Sequence, residues 1–260
     1  MGKRKDPTQS MPSVLAAHIQ ERAVWLSLLQ EARVCLTALL NQPTSSSPSP
    51  PGLSSVDFTN ARLFTRDHLV ICATAKEVRN KSRPKNLKMI KTDASATDSV
   101  LSSLIQSLIE QARTIHQDTH TSNSEKARLL MALSKNAEGT KMAKGAGPCT
   151  SSFVLSHFVP DLVPFYCQKQ WEALSVGCKQ LNLQTECKFN EAQGSLFYAI
   201  VLDLSELLNK DIGAEDQEKL SLLDISNVLW FTRLKQRHSE IWKQEPKEED
   251  LEAPAKKKAK

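Results

Sequence analysis

The chain has 260 residues, of which 40% are hydrophobic and only 5% aromatic, so Leu, Ala, Val and Ile must fill the core, as they do when helix packs on helix. Thirty-four basic residues against 29 acidic ones leave a net charge of +5, too modest to demand nucleic acid as a partner of the whole molecule. No run of about 18 apolar residues marks a membrane span, and the opening Met1-Gly2-Lys3-Arg4-Lys5 leads into polar residues rather than a signal-peptide core. A soluble intracellular protein with no membrane partner is expected.

In chain order, residues 1–12 read as a disordered basic leader, and 13–42 as one amphipathic helix. Leu15, Ile19, Leu26, Leu29, Leu36 and Leu40 recur around Trp25, and Pro43 stops the run. Residues 43–55 are rich in Ser and Pro and lack apolar periodicity, which predicts a linker ahead of a helical domain spanning 56–243. Residues 56–78 fit a helix, although His68 to Cys72 alone would pass as a strand.

From residue 76 the composition turns basic. Lys76, Arg79, Lys81, Arg83, Lys85, Lys88 and Lys91 face only Glu77, and Arg83-Pro84 argues against continuous helix, so 76–91 is expected as a basic loop. Thr97 or Asp98 can cap the next helix, whose Leu101, Leu104, Ile105, Leu108, Ile109, Ala112 and Ile115 form a clean stripe. A short helix follows Ser124. Residues 139–148 are small, glycine-rich and basic, and read as loop. Pro160 and Pro164 break the approach to a helix around Trp171, and Asn190 with Gln193 has the form of a capping box for the helix after it. A last helix over about 214–243 has acid at its start and base at its end, which suits the helix dipole. The sum is an all-α protein: an irregular bundle of about five to seven helices with disordered N- and C-terminal tails.

Residues 244–260 combine a Pro-interrupted acidic run with Lys256, Lys257, Lys258 and Lys260, a composition that cannot fold alone and has the form of a nuclear-import signal. A location in the nucleus, extending to the nucleolus, is the expectation.

Few residues suggest chemistry. The six cysteines contain no C-x-x-C pair and read as core thiols. His116 and His120 stand one turn apart, but the glutamate base of the zinc-peptidase pattern is missing. The glycines of 139–148, with Lys141 and Lys144, match no nucleotide-loop pattern. No catalytic residue, metal ligand, cofactor or small-molecule substrate is therefore assigned. The lysines and arginines of 76–91 can neutralise phosphates of RNA or DNA, but no aromatic residues are interleaved to stack bases. Trp25 and Trp242 are candidate anchors for a protein partner, Trp242 because it immediately precedes the polar tail. The expected role is that of a non-enzymatic interaction subunit in a nuclear complex. Ribosome biogenesis comes first. A chromatin or chromosome-segregation complex, or direct RNA or DNA binding through 76–91, is the alternative.

Overall fold

The computed structural model describes residues 11–40, 52–79, 84–135, 142–210, 212 and 219–243. Ten α-helices follow one another with no strand among the described residues: α1 Met11–His18, α2 Arg22–Leu40, α3 Arg66–Arg79, α4 Pro84–Thr92, α5 Asp98–Gln117, α6 Asn123–Lys135, α7 Pro148–Phe158, α8 Gln168–Gly177, α9 Glu191–Asn209 and α10 Leu222–Leu234. The all-helical expectation holds, and ten helices replace the five to seven expected. The leader up to residue 10, most of the Ser/Pro-rich linker and the tail from 244 lie outside the described residues.

One extra helix arises where a tertiary contact divides a long apolar run, another is α4 inside the expected basic loop, and a third comes from α7 and α8 standing on either side of Pro160 and Pro164 in place of one helix. The expected helix over 13–42 is two helices. Between them Gln20 N–H donates to the Ile241 carbonyl at 3.1 Å, Lys243 N–H donates to the His18 carbonyl at 2.6 Å, and Ile19 forms an antiparallel bridge with Trp242. Backbone groups that would have continued the helix are satisfied by a segment more than 200 residues away in sequence. The last helix is likewise shorter than expected. After Leu234, Gln236 enters the left-handed region (φ 57°), its N–H bonds Arg233 O and that of Arg237 bonds Thr232 O, the double closure of a Schellman motif. Only a 3₁₀ turn at His238–Ile241 follows.

Local signals act where they were read. Thr97 accepts from Val100 N–H and starts α5, whose Leu101, Ile105, Leu108, Ile109 and Ala112 are buried. Asn190 caps α9 by accepting from Gln193 N–H, but the Gln193 side chain does not return to Asn190. It instead ties the preceding loop, donating to Glu186 O at 2.7 Å and accepting from Lys188 N–H at 2.6 Å. The reciprocal capping box belongs to Ser221 and Asp224 at the start of α10.

Helix α10 is the axis of one half, packing on α2, α8 and α9, while α6 and α9 form the closest pair and α7 joins α3, α5 and α6. One continuous core contains Trp25, Trp171, Trp230, Tyr166, Tyr198, Phe153, Phe165 and Phe197, all at most 1% exposed. Helix α1 packs on α9 and α2 on α10, so the N-terminal helices are part of this core.

Candidate nucleic-acid interface

The basic stretch splits between inside and outside. In α3, Leu69, Cys72, Lys76 and Arg79 recur at helical spacing on one face, and all four are buried: Leu69 and Cys72 at 0%, Lys76 at 6% and Arg79 at 3% exposure. The Arg79 guanidinium lies 5.1 Å from the Phe153 ring, 5.7 Å from Phe165 and 6.0 Å from Trp230, and donates to Asn227 Oδ1 at 3.0 Å. Burial pulls its pKa down to about 10, still well above neutrality, so the side chain is a cation held by ring faces and one amide oxygen. Arg79 does not present its charge to solvent, and Lys76 is buried on the same face. Their assignment as nucleic-acid contacts is corrected: the helix turns them inward. Lys81 and Arg83 lie outside the described residues.

The rest of the expected loop is helix α4, Pro84–Thr92, with proline in its first position, where the missing N–H costs nothing. Ile90 is buried and Leu87 half-buried, while Lys85, Lys88 and Lys91 are exposed. At 100° per residue these three lysines occupy an arc of about 120°, spread over about 9 Å of helix axis. Among the described residues no carboxylate makes a salt bridge with any of them.

The glycine-rich loop packs beside this ridge. Met142, Ala143 and Ala146 are buried, and Gly145 takes φ +91° where a Cβ would stand 2.5 Å from the Asn86 carbonyl oxygen and 3.0 Å from Met89 Cβ. Asp93, 5% exposed, accepts from Lys144 N–H at 2.6 Å and from both the N–H and the hydroxyl of Ser95. Those hydrogen bonds hold its carboxyl below the usual range, led by the one from Lys144. The Lys144 side chain is exposed. The glycine-rich loop, expected as loop and matching no nucleotide-binding pattern, thus brings a fourth lysine beside α4.

The aromatic anchors are not on the surface. Trp25 is 0% and Trp242 3% exposed, so both are corrected to core residues; Trp242 is covered because residues 241–243 pair with the α1–α2 junction. None of the eight Phe, four Trp and two Tyr in the chain is exposed. His116 donates from Nε2 to the Leu162 carbonyl at 2.7 Å, with burial lowering its pKa, while His120 is exposed, so the two imidazoles do not converge. No group of three His, Cys, Asp or Glu that could hold a metal occurs among the described residues. Burial pushes the thiols of Cys72, Cys167 and Cys178 up, away from thiolate reactivity. No helix among the described residues is long and apolar enough to cross a membrane.

Comparison with protein-family models, curated proteins and solved structures finds no match to the chain.

Proposed function

We propose that this chain is a non-enzymatic helical subunit of a nuclear assembly that attaches to RNA, with ribosome biogenesis as the first context and a chromatin or chromosome-segregation complex as the alternative. The observation that supports the reading is the exposed ridge of Lys85, Lys88 and Lys91 on α4. Each lysine is a compact charge on a flexible stem, suited to a phosphate rather than to a base edge. The helix beneath it is fixed to α3 and the loop around Gly145, so the charges are arrayed before a ligand arrives. The tail lysines, Lys256 to Lys258 and Lys260, supply the route to the nucleus in this reading.

Purification of the full chain from cells, with and without ribonuclease, tests it. Wild-type protein should bring down RNA together with assembly proteins. Ribonuclease and the triple variant K85Q/K88Q/K91Q should each release most of both, and deletion of 254–260 should reduce the nuclear fraction. Partners that survive ribonuclease and the triple variant unchanged would sink the RNA reading.

A further inference from the structure

We infer that the ligand of the lysine face is the phosphate backbone of a base-paired nucleic-acid segment, bound without reference to sequence, and that Lys144 is a fourth contact positioned by Gly145. The inference rests on the RNA-attachment reading above and narrows it to a structural class of ligand.

Single-stranded nucleic acid gains much of its affinity by stacking bases on aromatic side chains. Helix α4 and the 142–147 loop carry no aromatic residue, and Phe58, Phe158 and Phe189, the least covered rings of the chain, are still half-buried, so this face offers bases no ring to stack on. Direct readout of base edges needs planar, bidentate donors such as Arg, Asn or Gln. The exposed α4 face offers lysines, Asn86 being half-buried beside Gly145, and the arginine nearest in sequence within the described residues, Arg79, is buried with its guanidinium against three rings. What remains is charge on flexible stems rooted at fixed positions along a helix, which can reach the regular phosphate rows of a double helix.

Lys144 belongs to the same face for geometric reasons. Going round α4, Met89 follows Lys91, Lys88 and Lys85, and the 142–147 loop lies beyond Met89, where Gly145 abuts Asn86 and Met89. The Lys144 backbone is bound to Asp93 just past the end of α4. Because any Cβ at position 145 would collide with the Asn86 carbonyl, only glycine permits this approach. Lys144 and the α4 ridge therefore flank Met89, which is 38% exposed.

The test is binding of the full chain to a 20-base-pair RNA duplex and to each of its separate strands over a salt series. Comparing variants of the full chain cancels the contribution of the terminal lysines. The duplex should bind at least tenfold more tightly than either strand, and an unrelated duplex of equal length should bind equally. The slope of log affinity against log salt should fall by about 2.7 in K85Q/K88Q/K91Q and by about 0.9 in K144Q. Gly145→Ala should behave as K144Q does while its circular dichroism stays helical. Strands that bind as well as the duplex, or a K144Q slope equal to wild type, overturn the inference and leave the RNA reading standing. A triple variant with the wild-type slope overturns both.

Discussion

Replacing Trp25 by phenylalanine should cost far less than the same change at Trp230, although both rings are fully buried at 0% exposure. The difference lies in one hydrogen bond. Trp230 Nε1 donates to the Arg79 carbonyl at 2.8 Å, so W230F strands a buried acceptor at about 1–3 kcal/mol in addition to about 1 kcal/mol of lost packing. Trp25 Nε1 is buried with no acceptor among the described residues. W25F loses similar packing but removes an unsatisfied donor, and the two effects offset. We expect W25F within about 1 kcal/mol of wild type, W230F about 2–4 kcal/mol less stable, and either alanine variant about 3–5 kcal/mol less stable. Urea unfolding followed by tryptophan fluorescence and circular dichroism measures this, each kcal/mol lowering Tm by about 2–4 °C in a chain of this size. Equal losses for W25F and W230F would refute the reasoning, because Trp25 would then have an acceptor in solution. A stable W25A would refute its place in the core.

Two further predictions concern the buried cation and its neighbour. Arg79→Ala should destabilise the fold by about 2–5 kcal/mol by emptying the space between Phe153, Phe165 and Trp230, yet leave the salt slope of RNA binding unchanged; a reduced slope would put Arg79 at the interface after all. His157 lies between Phe153 and Phe58, with ring centroids 4.4 and 5.0 Å away, and burial, aided by the Arg79 charge, pushes its pKa to about 3. Its folded-state pKa is below the unfolded value of about 6.5, so the unfolded chain takes up a proton that the folded chain refuses. Stability is then retained above about pH 6.5 and lost, at up to about 1.4 kcal/mol per pH unit, as the pH falls from there towards 3. The half-buried His116, also shifted down, adds in the same direction. Urea midpoints at pH 7.5 and 5.0 should show the fall in wild type and a smaller one in H157Q; identical falls would show that His157 is not its source.

Burial of Trp25 and Trp242 alters what recognition by this molecule must rest on. Protein hot spots are usually large rings and arginines at the centre of an interface. Here no Phe, Tyr or Trp is fully exposed, and among the described residues the exposed large hydrophobic side chains are Val34, Leu63, Met89, Val100 and Val176, drawn from separate parts of the chain. Of these Met89 alone has an arc of lysines beside it on the same helix. Charge without rings gives attachment that is fast, salt-sensitive and indifferent to sequence, which suits a subunit held on a phosphate-rich particle.

What could be read in the sequence depended on how far apart the deciding residues lie. Thr97 and Val100, Asn190 and Gln193, and the Leu101 to Ala112 stripe are separated by no more than about three turns of helix, and those elements form where their pattern predicts. The division of the first helix at residues 19–21 carries no local mark, neither Gly nor Pro, because its cause is the segment 241–243. The same pairing turned Trp242, which its polar neighbours 237, 238 and 240 made look exposed, into a core residue. In the basic stretch the deciding pattern is present in the sequence: along 76–91 there are seven equivalent cations, whereas around the helix Lys76 and Arg79 stand in register with Leu69 and Cys72. A helical face buries whatever occupies it when the rest of the face is apolar enough to offset the desolvation of one cation, and three aromatic rings with Asn227 supply that at Arg79. In α4 the covered apolar positions are Ile90 and Leu87, too few to turn the lysines inward, so the same chemistry emerges on the surface.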